Sequence, residues 1–318
     1  MMKKAILGIL LGVTLVPAVW SQQDAQYTQY MFNTLSVNPA YAGSRGQLSF
    51  AGLYRSQWAG LEGAPETLTF NIHSPIRNSR LGYGISLVND NIGSGVVQET
   101  YLDLALSYTI DVSETAKMSF GVKLGGNLLN LDFTKLRNFD NEVVVQDNID
   151  NSFSPNFGVG FYYHTDRFYA GVSAPNLLET EYFDNNGEDA NSPNFLAAER
   201  VNFYFITGYV FDLNSEFKFK PALLTKVVGG APLQLDLSAN FLYNDRFSFG
   251  AAYRWDASVS ALAGFQLNEQ IMLGVAYDRE TTELGAQQFN DGSFEVFLRV
   301  ELLKRFQRTV PHVSFNEH

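Results

Sequence analysis

From Gln47 onward, apolar and polar residues alternate with a period of two, the spacing of a strand with one greasy face. Leu233, Leu235, Leu237, Ala239, Phe241 and Tyr243 alternate with Gln234, Asp236, Ser238 and Asn240. Phe247, Phe249, Ala251, Tyr253 and Trp255 alternate with Ser248, Gly250, Ala252 and Arg254. Met118, Phe120, Val122 and Leu124 do the same against Ser119, Gly121, Lys123 and Gly125. The pattern predicts about fourteen strands, over 47–58, 65–74, 80–90, 97–110, 116–129, 155–165, 167–175, 200–212, 216–226, 232–243, 246–255, 258–267, 270–279 and 293–302.

A soluble sandwich alternates too, so other features must choose. Strands of about nine or more residues match a tilted crossing of the hydrocarbon layer, whereas sandwich strands average nearer five or six. Aromatics cluster at strand ends (Tyr162, Tyr163, Tyr243, Tyr253, Trp255, Tyr277), as in interfacial girdles. The connections also alternate in length. Short polar turns at 75–79, 111–115, 165–166, 213–215, 244–245 and 268–269 are interleaved with longer stretches at 59–64, 91–96, 130–154, 176–199, 227–231 and 280–292, with 256–257 the one short exception on the long side. The fold expected is all-β: a closed antiparallel transmembrane β-barrel of about fourteen strands, short turns facing the periplasm and both termini on that side. Closure leaves no backbone edge unpaired in lipid.

Composition agrees. The 318 residues include 26 Phe, 16 Tyr and 26 Gly, and only 17% are charged. The mean hydropathy of −0.09 is no objection, because alternation hides hydrophobicity from averages. Lys3 and Lys4 precede an apolar run from Ala5 to Val16, and Val19-Trp20-Ser21 offers a cleavage site, so residues 1–21 read as a signal peptide. Without those two lysines, 20 basic residues stand against 33 acidic, a net charge of −13. That sign argues against nucleic acid as a partner. The absence of cysteine rules out disulfides and thiolate metal sites in this exported chain.

Between the signal peptide and the first strand lies a segment without a two-residue period. It carries Gln26-Tyr27-Thr28-Gln29-Tyr30-Met31-Phe32-Asn33 and then Asn38-Pro39-Ala40-Tyr41-Ala42-Gly43. Tyr54-Arg55-Ser56-Gln57-Trp58-Ala59-Gly60 and Gly63-Ala64-Pro65 follow shortly. The aromatics of 22–46 need a surface to cover, and two were available: the barrel mouth, as a plug, or a periplasmic partner. The organisation expected is thus 1–21 signal peptide, 22–46 periplasmic N-terminal arm, 47–302 barrel and 303–318 periplasmic tail. These four motifs, in this order, resemble the PorP/SprF family of Bacteroidetes outer-membrane proteins, which is linked to type IX secretion and to gliding adhesins. The resemblance implies a non-enzymatic barrel in the outer membrane whose partners are a large secreted surface protein, as cargo or adhesin, or proteins of the periplasmic secretion ring. A passive solute channel is the competing reading, and it would need an open lumen. Partner contact is assigned to Tyr27, Tyr30, Met31, Phe32, Asn38, Pro39, Tyr41, Arg55, Gln57, Trp58, Gly63 and Pro65.

Candidate chemistry is sparse. His73, His164, His312 and His318 show no metal-ligand spacing, and none falls near the outer rim, so no catalytic, cofactor or metal site is expected. Asp140, Glu142, Asp147, Asp150, Glu179, Glu181, Asp184, Glu188 and Asp189 crowd two long loops. They read as solvated surface or as a partner or calcium face, and their spacing matches no EF-hand. Arg55, Gln57, Glu99, Asp103, Lys123, Asp236, Asn240, Arg254, Asp278, Glu295, Arg299 and Glu301 fall on the inward phase. Their mixed signs predict a salt-bridged, largely filled interior instead of an ion filter. The inward glycines, Gly82, Gly84, Gly121 and Gly160 among them, read as relief of crowding and sheet bending.

Overall fold

A computed structural model of the chain describes residues 26–135, 148–181, 198–286 and 289–302. The expected signal peptide, the tail beyond 302 and the acidic residues Asp140, Glu142, Asp147, Asp184, Glu188 and Asp189 lie outside the described residues.

Fourteen strands make the wall: β1 (Leu48–Ser56), β2 (Glu66–Pro75), β3 (Leu81–Ile92), β4 (Val97–Asp111), β5 (Lys117–Leu131), β6 (Ile149–His164) and β7 (Phe168–Ala174), then β8 (Asn202–Tyr209), β9 (Phe217–Val228), β10 (Gln234–Tyr243), β11 (Phe247–Arg254), β12 (Ser258–Gln266), β13 (Ile271–Glu280) and β14 (Ser293–Leu302). Each is antiparallel to its sequence neighbours, and β8 joins β7 to β9. The sheet closes where β1 pairs with β14, Leu53 opposite Phe297 and Arg55 opposite Glu295. Among the described residues no helix is long and apolar enough to cross a membrane.

Alternation explains both faces. Along β3, Tyr83, Ile85 and Leu87 are exposed to lipid, while Ser86, Val88 and Asp90 are buried inside. Leu102, Leu104, Leu106, Val122 and Leu124 continue the greasy outer band. An outward side chain keeps its apolar surroundings without any partner in the protein, because lipid replaces water there. Inside, Arg55, Asp103, Lys123, Asp236, Asn240, Asp278, Glu295, Arg299 and Glu301 are all buried, as the inward phase required. Lys123 pairs with Asp103 at 2.9 Å, and Arg254 with Asp236 at 2.7 Å.

Two expectations need correction. Strand β6 begins at Ile149 rather than near 155. Asn151, Ser152 and Ser154 hide its alternation, but the backbone ladder to β5 carries it, with one slip of register between Leu129 and Leu131. Tyr162 was placed in an interfacial girdle. It points inward instead, 5% exposed, against Tyr41 and Tyr169.

The hydrophobic core lies in the lumen. Tyr27, Tyr30, Met31 and Ala40 pack with Leu53, Tyr162, Tyr169, Ile206, Leu224 and Phe297 of the wall. Four residues of that core, Tyr27, Tyr30, Met31 and Ala40, come from the segment that has no strand.

Candidate functional site

Residues 26–46, expected as a periplasmic arm that would either plug the barrel mouth or cover a partner, run through the lumen from one end to the other. Gln26, Tyr27 and Thr28 meet wall residues near the long connections, and Arg45 meets Glu301 near the short turns. The segment is therefore a plug, and it descends against the direction of β1, which carries the chain back up.

The upper end is held by charge. Arg55, 1% exposed, reaches Asp278 at 2.7 Å and Glu295 at 3.3 Å. The Glu295 carboxylate accepts two consecutive backbone N–H groups of the plug, from Thr28 at 2.9 Å and Gln29 at 2.8 Å. The Thr28 hydroxyl donates to Asp278 at 2.6 Å and accepts from Arg55 at 2.9 Å. Arg254, forked onto Asp236, also donates to the Gln26 side-chain oxygen at 2.8 Å and to the Tyr27 carbonyl at 3.2 Å. Plug carbonyls and N–H groups thus take the place of water around buried wall charges, which would otherwise be costly.

The middle rests on side chains. The Tyr27 and Thr69 hydroxyls share a hydrogen bond of 2.8 Å, and Phe32 stacks on Phe297 with ring centroids 5.2 Å apart. A helical turn, Thr34–Val37, follows. There Asn71 donates to the Ser36 hydroxyl at 3.0 Å, and Ser173 donates to the Val37 carbonyl at 2.6 Å.

The lower end is fitted by shape, and each residue of Asn38-Pro39-Ala40-Tyr41-Ala42-Gly43 has a local reason. Asn38 caps the next turn by accepting from the Ala40 N–H at 3.0 Å, and donates to the Phe161 carbonyl at 3.0 Å. Pro39 opens that turn, Pro39–Tyr41, with its φ already set. Ala40 is fully buried against Gly121, where an added Cβ would stand 2.2 Å from the Ala40 nitrogen. Tyr41 packs edge-on to His73 and Tyr162. The Ala42 carbonyl accepts from Ser107 at 2.6 Å. Gly43 has φ +73°, which favours glycine, and its N–H donates to His73 Nδ1 at 3.1 Å.

The remaining candidates form the rim of the long-connection end. The Gln57 N–H donates to the Pro65 carbonyl at 2.9 Å, closing the β1–β2 loop. Gly63 has φ +78°, and its carbonyl accepts from Gly93. Trp58 has φ 45°, unusual for a bulky side chain. It is held by the Ser293 hydroxyl on its N–H at 3.1 Å and by Glu280 on its indole N–H at 3.2 Å.

The twelve residues singled out thus split into a lumen group (Tyr27, Tyr30, Met31, Phe32, Asn38, Pro39, Tyr41, Arg55) and a rim group (Gln57, Trp58, Gly63, Pro65). Sequence reasoning missed the anchors Thr28 and Gln29; it read Gly121, Gly160 and Gly82 as relief of crowding and sheet bending, and the crowding they relieve is that of the plug. Among the described residues no cluster of three or more His, Asp or Glu side chains could hold a metal ion.

Solved structures similar in overall shape are outer-membrane barrels. The KdgM porin is 8% identical over 80% of this chain and 99% of its own, with a TM-score of 0.39. A Pseudomonas aeruginosa FadL homologue is 13% identical over 89% of this chain and 96% of its own, at 0.42. The TodX monoaromatic hydrocarbon channel, a deletion mutant, is 9% identical over 84% and 93%, at 0.45. At that distance nothing about conduction or substrates follows. No curated protein sequence matches the chain. The sequence pattern of the type IX secretion system membrane protein PorP/SprF matches residues 19–300. A closed barrel with a lipid-facing outer band and a match over most of its length place this chain in the outer membrane, as a member of the PorP/SprF family.

Proposed function

We propose that this chain is a non-conducting, non-enzymatic barrel of the type IX machinery that holds or helps export one large secreted surface protein. The observation that carries the reading is the plug. A passive channel needs a continuous water path, and here Arg55, Asp278 and Glu295 close on Thr28 and Gln29 at one end while Ala40 sits against Gly121 at the other. A filled lumen leaves the rim and the two ends as the working surfaces. In this reading the long connections face outside the cell, in keeping with the usual barrel topology. The family supplies the context of secretion, and the plug weighs against the solute-channel alternative.

Two measurements on one strain test this. The purified protein is reconstituted in planar bilayers, and a deletion strain is assayed for each type IX-dependent protein at its surface. The expected result is no porin-sized steps and loss of one surface protein while the others remain. Loss of all type IX export would assign the chain to the core, docked on the periplasmic ring. Steady open-channel conductance with an unchanged cell surface would sink the proposal.

A further inference from the structure

At the long-connection end a cavity of about 330 Å³ is lined by Gln26, Trp58, Lys226, Leu233, Arg254 and Trp255, among others. We infer that this mouth pocket is a binding site for an extended peptide segment of the carried protein, with Trp58 as its anchor. The inference rests on the reading above that the partner is a protein.

Three observations support it. First, the pocket has a built wall. The left-handed backbone at Trp58 is sustained from both sides: Ser293 and Glu280 hold the tryptophan itself, and Ala59 exchanges backbone hydrogen bonds with Gly292 and Asp291 at 2.7 and 2.8 Å. Backbone held in a sparsely populated region by its surroundings marks positions under functional demand. Second, the lining matches a peptide. Lys226 and Arg254 are balanced by Asp256 and Glu280, so no net field selects an anion. Gln57 lines it with an amide that both donates and accepts, as a peptide backbone does, beside the two indoles and Leu233. Third, the floor is closed. Gln26, the first described residue of the plug, is tied to Arg254 at 2.8 Å, and Thr28 and Gln29 next to it close on Glu295 and Asp278, so an occupant is stopped at the mouth instead of passing through. The site is therefore suited to holding.

The test uses the full-length protein in its own cells. A photocrosslinking phenylalanine analogue is placed at Trp58, at Trp255, and at Val112 in a short turn at the opposite end. The expected result is an adduct from 58 and 255, and none from 112, with the same surface protein that the deletion strain loses. Trp58→Ala should weaken that protein's retention about thirtyfold, the scale of an interface hot spot of about 2 kcal/mol, while the barrel keeps its heat-dependent gel shift. Because Trp58 is tied into the rim, Trp255→Ala serves as the second variant and should act without disturbing any of those ties. If deletion removes the surface protein but neither tryptophan crosslinks to it and both variants retain it, the pocket inference is overturned and the function stands. An adduct only to this chain itself also overturns it. If deletion leaves every surface protein in place, the functional reading falls and takes the inference with it.

Discussion

The two ends of the plug are held by different physics. At the upper end Glu295 gathers Arg55 and two plug N–H groups, so the contact depends on charges that have all left water. At the lower end Ala40 and Pro39 lie directly on the backbone of Gly121, so the contact depends on one hydrogen standing where a methyl would. A buried charge set fails when any member is removed. A close backbone approach fails when anything is added. The chain thus uses subtraction-sensitive and addition-sensitive anchors on a single segment, and substitutions can separate them.

The largest effect should come from the charged end. Glu295→Ala leaves Arg55 with only part of its compensation and strips acceptors from Thr28 and Gln29. Breaking a buried pair from one side costs about 3–5 kcal/mol. The upper plug should detach while β14 still pairs with β1 and β13, because the wall is held by backbone ladders. Bilayer recordings of the variant should show conductance absent from the parent. A silent variant with an unchanged melting profile would mean that Glu295 is not an anchor.

Gly121→Val should come next. Its Cβ would stand 2.2 Å from the Ala40 nitrogen and 2.4 Å from the Pro39 carbonyl carbon, and neither can rotate away. Overpacking of this kind costs about 1–3 kcal/mol. Tyr41 should then become reactive as Tyr41→Cys toward a thiol reagent in detergent, where the parent background protects it. Equal protection in both backgrounds would show that the lower plug has room the structure does not suggest.

The wall was legible in the sequence because each of its strands has two unlike faces, lipid and lumen, and so carries a period. Leu233 to Tyr243 could be read without any structure. The plug carries no such signal. Tyr27, Tyr30 and Ala40 are surrounded by wall on all sides, so no polar face is left to set a rhythm. Its motifs could be noticed and its aromatics required cover, but an interior place and a partner's surface ask for the same residues. Asp278 and Glu295 could be put on the lumen side, yet not matched to Thr28 and Gln29, because their partners lie 250 and more residues away along the chain. Tyr162 shows the remaining ambiguity: an aromatic near a strand end suits a girdle or a plug contact equally well, and only the phase of its neighbours tells them apart.

The smallest effect is also the sharpest test of the contrast. Asn38 both caps the Pro39–Tyr41 turn and reaches the Phe161 carbonyl, so Asn38→Ala should cost about 0.5–2 kcal/mol. Gly160 lies beneath it, where an added Cβ would stand 2.1 Å from Asn38 Oδ1. That neighbour is the tip of a side chain, unlike the backbone above Gly121. Gly160→Ala alone should therefore destabilise the plug, and in the Asn38→Ala background most of its cost should vanish, because the colliding oxygen is gone. Gly121→Ala should show no such rescue by Asn38→Ala, since its collision is with the Ala40 nitrogen. The measurement is a pair of double-mutant cycles on thermal unfolding in detergent, read as coupling between positions. Strong coupling for 38 with 160 and near-additivity for 38 with 121 would confirm that the lower plug is seated by backbone against glycine. Equal coupling in both cycles would mean that the Asn38 side chain, and not the close backbone approach, sets the fit.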